Sequence, residues 1–522
     1  MKRLLLIWAL FLCSLTAAFA QFSGSGSGTK DDPYLIFYAE QLNQMRNFLG
    51  KDSVYFKLMS DIDLTNWIEE NNPEQGWQPI GVGSSHFKGI FIGNQHSVSG
   101  LKINRSSEDY VGLFGYLENA TITDLTISDA SVEGRVSVGV LSGRAINSIL
   151  KDLIITSSST KSSADYAGGI VGSAENCKFE EIQYDGNIES SSNNIGGIVG
   201  FARNSDFANC SNSSNITGGR AVGGIIGQGY EVSINNVKAT GNIKKGDYLG
   251  GIIGYARAKC SIKNSYHKGN ISGTERLGGI VGYIPSEGEV AIDSCWSWGE
   301  INGTSDYVGG IVGISEGGSL KEITRCNHFG DITGKCYVGG IIGNIKFIGY
   351  QNNNMTLQTY SLTVQNWHPA SHDQDGKWYP GYYTYDTYNV SDEVVQEGNK
   401  YVTLSNNLVI SNITACSYVG GIIGYDLGGS GTWTSTTSNL YYYKAYRTTN
   451  GTKEPVSNVT LITYHQGSYS AIIENNIFSG EISGKFNLGG IIGKKYCGII
   501  RKNFSNAQLL VQIRLEELLV LR

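Results

Sequence analysis

The stretch SDYVGGIVG at Ser305–Gly313 recurs nearly unchanged as ADYAGGIVG, NNIGGIVG, RAVGGIIG, GDYLGGIIG and KCYVGGIIG. No residue of V-G-G-I-V-G is a nucleophile, acid, base or metal ligand, so the repeated feature is architectural. The last glycine of each copy falls at Gly115, Gly143, Gly172, Gly200, Gly227, Gly254, Gly282, Gly313, Gly343, Gly424 and Gly493. The first eight gaps are 28, 29, 28, 27, 27, 28, 31 and 30 residues, and the last two are 81 and 69. A period this regular overrides the several domains that 522 residues would otherwise suggest.

A second signature recurs between the motifs, as in CSIKNSYHKGNISG, VAIDSCWSWGEING and LKEITRCNHFGDITG. Each unit therefore offers short β-favouring runs separated by Gly, Asn and Ser turns. Such runs cannot bury a face alone. Stacked in register at ~4.8 Å per coil they form one continuous Ile/Val core, which is a β-solenoid. The expected fold is all-β: a right-handed parallel β-helix of ~28-residue coils. The Gly-Gly pair is expected to supply φ > 0 at a sharp corner and to leave no Cβ between stacked coils. Gly and β-branched content argues against the helical repeats of similar period.

Composition narrows the partners. With 69 Gly but no every-third spacing, the chain is not collagen, and 40% hydrophobic residues argue against disorder. A net charge of −6 with no basic stripe argues against nucleic acid. Residues 1–20, MKRLLLIWALFLCSLTAAFA, read as a signal peptide ending in Ala18-Phe19-Ala20, too short to serve as an anchor. The mature chain is expected to start at Gln21 and to be secreted, without a membrane-spanning segment. Cys177, Cys210, Cys260, Cys295, Cys326, Cys336, Cys416 and Cys497 form no C-x-x-C pair and mostly recur at similar places in the repeats. They are expected to be small apolar residues stacked in the core.

Residues 21–105 form an N-terminal capping region with the first coils, and 106–522 the repeat array. In FYAEQLNQMRNFLG, Leu42, Met45 and Leu49 share one face of a short helix stopped by Gly50, a lid on the first strand edge. Insertions occupy about 344–400 and 425–465, both rich in Trp and Tyr. The tail after Ala507 reads in two ways. Leu509, Leu510, Ile513 and Leu518 suit the face of a capping helix. Alternatively, Leu515–Val520 can be encoded so that a shifted frame reads Gly-Gly-Ile-Val-Gly, which implies a frameshift and a longer array.

The signature is similar to the GLUG repeat of secreted and surface proteins of bacteria, especially gut Bacteroidetes, which also occurs near some immunoglobulin A peptidases. The N-terminal run of GSGTKDDPYLIFYAEQL, YFKLMSDIDL, WQPIG and YVGLFGYL resembles the start of such arrays, although Ile92 and Gln95 depart from the usual Asp and Gly. The resemblance implies a β-helix and a cell-surface setting, and no activity.

Catalysis on a β-helix would need carboxylates stacked on adjacent coils. Glu180, Asp185, Asp293, Glu300, Asp331 and Glu481 are the candidates. Glu300, Asp331 and Glu481 share a position that is Asn in other repeats, which reads as a solvated turn. Asp61 and Asp63 are expected to face solvent. His368, His372, Asp373 and Asp375 are the one cluster with metal-ligand residue types, again read as a solvated turn. No catalytic residue, metal or cofactor is expected. The binding candidates are Trp367, Trp378, Tyr379, Tyr382, Tyr383 and Tyr385 in the first insertion. Such rings either offer a contact surface to a host or microbial glycan or protein, or pack the insertion onto the rod. The expected role is an adhesin or display scaffold. A carbohydrate-active β-helix or a passive stalk is the alternative.

Overall fold

The computed structural model describes residues 22–190, 193–286, 289–317 and 319–346, and the backbone from 359 to 511 except 369–370, 373–377, 380–381, 392, 397–399, 428, 450–451 and 496–497. Side chains are not described over 359–401, 426–470, 498–499 and 510–511. The signal-peptide reading and the residues beyond 511 lie outside the described residues.

The chain winds as a β-solenoid. Each coil contributes a strand to a leading wall of nine parallel strands, turns at the Gly-Gly corner, and contributes a strand to a trailing wall of 11. It then crosses a long wall in three short segments. In one coil these are Cys336–Gly339, Ile342–Lys346, and then, after the first insertion, Lys400–Ser405, Leu408–Ile410 and Ile413–Thr414. Successive coils are paired in parallel, with residues one repeat apart as partners, as in Ile253↔Val281 and Val281↔Val312. Ile252, Ile280, Ile311 and Ile341 stack as expected. The N–H of each donates to the carbonyl of the next at 2.9–3.0 Å, and Ile341 continues to Ile422 at 3.0 Å across the insertion. All four are fully buried.

The corner corrects one expectation. No glycine of the Gly-Gly pair has positive φ. The requirement is space. A Cβ on Gly309 would stand 2.0 Å from the Val312 carbonyl oxygen across the turn, and one on Gly310 2.0 Å from that of Gly340 in the next coil. On Gly313 it would lie 2.7 Å from the carbonyl carbon of Arg276, in the preceding coil's corner. Each motif glycine is thus walled in by peptide, which cannot move aside as a side chain can.

Positive φ falls instead on the residue before the valine. Tyr110, Ser137, Tyr166, Asn194, Ala221, Tyr248, Arg276, Tyr307, Tyr337, Tyr418 and Asn487 all lie between 55° and 70°. This costs about 1–2 kcal/mol per residue. The ladder holds it in place: Tyr248 N–H donates to Glu275 O at 3.0 Å and Tyr307 N–H to Cys336 O at 3.1 Å.

The second corner glycine faces a column from the middle of the long wall: Tyr184, Asn212, Ala239, His267, Ser297, His328, Val409 and Phe478. His267 and His328 are fully buried. Their Nε2 atoms bond to Gly241 O (3.0 Å) and Gly330 O (2.9 Å), while neither Nδ1 has a partner. Burial lowers both imidazoles to about 4.

A neighbouring column runs from Leu125, Leu153 and Ile182 through Cys210, Cys295 and Cys326 to Asn407, Asn476 and Asn503. The asparagines form an amide ladder, Nδ2 of Asn407 donating to Oδ1 of Asn476 (2.9 Å) and Nδ2 of Asn476 to Oδ1 of Asn503 (2.9 Å). Cys177, Cys210, Cys260, Cys295 and Cys326 are buried free thiols, as expected, but Cys336 is half-buried and Cys416 exposed. Burial pushes Cys177 and Cys260 up to about 11 and Cys210 to about 12, so these thiols stay protonated.

The N-terminal lid forms as helix α1 (Ala39–Gln44) running into a 3-10 turn at Met45–Phe48, with Leu42 and Met45 fully buried and Gly50 at φ +73°. Phe48 meets Phe22 and Phe56 at 6.3 and 5.5 Å. Helix α2 (Thr65–Asn71) was not expected. The insertions are hairpins rather than loops. Thr359–His368 pairs antiparallel with Tyr382–Ser391, and Gly429–Thr449 with Thr452–Glu474. The two hairpins join through Ser361↔Thr448 to Val364↔Ala445. Gln508–Val511 is a strand paired in parallel with Glu481–Gly484, so Leu509 and Leu510 do not start a capping helix.

Candidate binding surface

The middle strands of the long wall alternate strictly, with one buried residue between two outward ones. Tyr266–Lys268, Trp296–Trp298, Asn327–Phe329, Leu408–Ile410 and Ile477–Ser479 hold His267, Ser297, His328, Val409 and Phe478 inside. Their outer positions form two columns, Tyr266, Trp296, Asn327, Leu408, Ile477 and Phe504 in one and Lys268, Trp298, Phe329, Ile410 and Ser479 in the other, which together make a largely apolar strip. Trp298 lies near-parallel to Trp296 (6.5 Å, 20°) and Phe329 (5.9 Å, 14°), with Tyr266 edge-on at 5.6 Å. Ile410, Ile477 and Phe504 are 50%, 45% and 60% exposed. Stacked coils place one such row every ~4.8 Å along the wall. The binding candidates read from sequence do not include this strip. The available signal was the shared repeat position of YHK, WSW, NHF and LVI.

The left-handed corner residues make a second aromatic surface, because each side chain folds over the trailing wall. Tyr307, Tyr337 and Tyr418 stack at 5.1 and 4.8 Å within 11° of parallel. Arg276 takes one rung, its guanidinium 4.9 Å from the Tyr248 ring and 5.6 Å from Tyr307. Arg220 covers the other face of Tyr248 at 4.4 Å and donates to its hydroxyl. Burial, then the Glu316 carboxylate that its hydroxyl bonds at 2.8 Å, raise the Tyr283 phenol far above its usual range. At Ala221 the rung carries no large side chain. There the ladder opens into a cleft of about 280 Å³ with Gln228 and Tyr255 among its lining.

Most of the carboxylates named from sequence are engaged within the scaffold, while Glu300 and Glu481 join the turn ladder through their backbone N–H groups. Asn242 N–H donates to Asn215 Oδ1 (3.0 Å), Asn270 N–H to Asn242 Oδ1 (2.9 Å) and Glu300 N–H to Asn270 Oδ1 (3.0 Å). Asn412 N–H donates to Asp331 Oδ1 (3.0 Å) and Glu481 N–H to Asn412 Oδ1 (3.2 Å). The shared turn position is a cross-coil cap, met equally by Asn and Asp because both present an oxygen at the same reach. Glu180 pairs with Lys151 (3.1 Å), Asp185 accepts from Ser213 (3.0 Å) and Asp293 pairs with Arg325 (2.5 Å). Asp61 and Asp63 are exposed and accept the N–H groups of Ser97 (2.7 Å) and Thr65 (2.8 Å); for Asp61 the Ser97 N–H, and for Asp63 the Thr65 hydroxyl followed by its N–H, hold the carboxyl below the usual range.

In the first insertion the backbone register sets Trp367 opposite Tyr383, Gln365 opposite Tyr385 and His368 opposite Tyr382. In the small ribbon, Trp378 stands opposite His372 and Tyr379 opposite Ser371. The side chains of these six candidates, and the His368–Asp375 cluster, lie outside the described residues.

No family model matches the chain. A protein of Evansella cellulosilytica named as a Gly-rich membrane protein is 39% identical over 141 residues, 26% of this chain and 16% of that protein. Halomucin of Haloquadratum walsbyi is 33% identical over 156 residues, 29% of this chain and 2% of its own length. The chain thus spans only a small part of the curated relatives it matches. A candidate immunoglobulin A1 protease from Bacteroides ovatus, a solved structure, aligns at a TM-score of 0.33 with 26% identity, covering 52% of this chain and 77% of that one. Among the described residues, no helix is long and apolar enough to cross a membrane.

Proposed function

We propose that this chain is a GLUG-type repeat protein exported to a bacterial surface, where it acts without catalysis as an adhesin or display scaffold for glycan or protein ligands. The observation that carries the reading is the solvent-facing aromatic strip on the long wall, centred on Trp296, Trp298 and Phe329. Near-parallel, mutually stacked rings held in register on a sheet suit apolar contact with sugar rings. Exposed apolar strips of this kind mark interaction sites on soluble surfaces. Five of the six candidate carboxylates have partners within the scaffold, which supports a non-catalytic role. The name of the Evansella relative supports a setting at the cell envelope. The aromatic hairpin at 359–391 is a second contact region in this reading.

The test is a glycan array probed with residues 21–522 and with a Trp296→Ala/Trp298→Ala double variant. The expected result is glycan binding that falls at least tenfold in the variant. Binding by neither protein, or equal binding by both, overturns the strip as the contact surface.

A further inference from the structure

We infer that the cleft at Ala221 is a subsite for a single neutral sugar ring, taken edge-in where the tyrosine ladder lacks a rung. The inference rests on the glycan-binding reading above and adds a second place and a ligand class to it.

The left-handed corner column explains why a cleft exists at all. Each corner side chain lies between the outward residue of its own trailing strand and that of the next coil. Tyr248 touches Tyr255 at 5.8 Å and Tyr283 at 4.8 Å, and Tyr418 touches Tyr425 at 5.2 Å. By the same offset, the side chain at position 221 should cover Gln228 and Tyr255, which are register partners on adjacent strands. An alanine covers neither. The result is a slot of about 280 Å³ whose floor carries an amide and a phenol ring. Its size is that of a small ligand site, at the lower end of the range for such pockets.

The walls set the chemistry. Asn193 and Asn194 lie on the side of the preceding coil, and Arg220 with the Tyr248 ring on the other. Amide and guanidinium groups offer donors in several directions and the amides offer acceptors, a set that matches ring hydroxyls. Tyr255 supplies an aromatic surface for the C–H face of a pyranose. Two features favour a neutral sugar over an acidic one. Arg220 already gives one donor to the Tyr248 hydroxyl, and Asp247 is its register partner on the next strand, which offsets its charge.

The experiment uses the mature chain, residues 21–522, titrated with methyl glycosides of glucose, galactose and mannose and followed by saturation-transfer NMR. Methyl glucuronoside and tyrosine amide are the comparison probes. Ala221→Tyr restores the missing rung with a residue that six other coils carry in the same left-handed corner, so the fold is expected to hold. Gln228→Leu is the second variant. At least one neutral glycoside is expected to bind, at least tenfold more weakly to Ala221→Tyr and at least threefold more weakly to Gln228→Leu, with Trp298→Ala titrated in parallel to separate the contribution of the long-wall strip. Binding that survives Ala221→Tyr but fails in Trp298→Ala overturns the cleft and leaves the long-wall reading standing. Preference for the glucuronoside or the tyrosine amide overturns the ligand class. Binding of no glycoside overturns the subsite, while the array on the aromatic strip decides the wider reading independently.

Discussion

The first two coils and the nine that follow turn the same corner with different residues. Val140 stands in the second coil where the later coils, from Gly169 onward, have the second glycine, and the first coil is one residue shorter, V-G-L-F-G against V-G-G-I-V-G, so that Phe114 pairs with Ser142 and Gly112 alone makes the turn. A carbonyl ladder joins the early coils too: Leu113 N–H donates to Val140 O at 3.0 Å and Val140 N–H to Gly169 O at 3.2 Å, whereas from Gly169 onward the second glycine donates to the first glycine of the next coil, as Gly169 does to Gly196 O at 3.3 Å. The leading wall does not extend to them. Its continuous nine-stranded sheet begins at Ala167–Gly168, and before that only the isolated bridges Val111↔Val138 and Val138↔Ala167 join the coils. A side chain at the corner is therefore compatible with stacking. What glycine adds is a leading strand that runs into the corner at full pairing, and room for large residues from the facing wall. Val140 faces the column at Ile155, whereas Gly169 faces Tyr184 and Gly421 faces Phe478.

Importing the early residue into the later region should have the largest effect. Gly310→Val would drive a side chain into the Gly340 carbonyl oxygen and the His328 ring, so a loss of roughly 4 kcal/mol or more is expected, comparable to Ile311→Asp, which buries an unpaired charge between coils. Thermal melts measure both, and a midpoint within about a degree of the parent for either variant would refute the packing described here.

The facing column offers the next test. His267 and His328 titrate near 4 in the folded chain, below the ordinary value of 6.5. Between those values the unfolded state takes up protons that the folded state refuses. Stability should be full above pH 6.5, fall as pH drops toward 4 and level off below, by about 3 kcal/mol per histidine. Denaturant titrations across this range should show the slope halved in His328→Val, which copies Val409 at the same place in the column. An unchanged slope would place the titration elsewhere.

Tyr337→Gly should change stability by less than about 1 kcal/mol, since relief of left-handed strain offsets the loss of stacking on Tyr307 and Tyr418. A loss above about 2 kcal/mol would show the ring column to be a main support of the corner. Smallest of all should be deletion of residues 360–392. Cys336↔Ser417 and Val338↔Val419 already pair across the insertion, so the nine-coil stack should close directly. Loss of the β-sheet circular dichroism signal on deletion would show that the hairpin belongs to the stack.

Much of this was legible in the sequence because a solenoid writes its geometry as a period. The spacing of the glycines, the stacked isoleucines, the lid at Leu42 and Met45 and the solvated turn at Glu300 and Asp331 all follow from local pattern. The reading failed where a neighbouring coil decides. Gly310 looks like a residue chosen for its backbone freedom, but its constraint is the carbonyl of Gly340, thirty positions away. Tyr307 gives no sign in sequence of a left-handed backbone, since the ladder imposes it. Cys416 shares its residue type with Cys326 but not its place in the coil, and is exposed. The aromatic strip was missed because its members are scattered at intervals of about thirty residues and assemble only on stacking.

The isoleucine ladder also fixes how the rod would bear load. Its hydrogen bonds point along the long axis, so tension between the two ends acts on the interface between one coil and the next. Parting one interface releases a whole turn of chain, roughly 28 residues and some 90 Å of extended length, against a rise of ~4.8 Å in the folded rod. A coil that carries a hairpin would release about three times as much. Under shear the molecule would yield in discrete steps, each absorbing work and leaving the remaining coils intact, as a tether does that lengthens before it lets go.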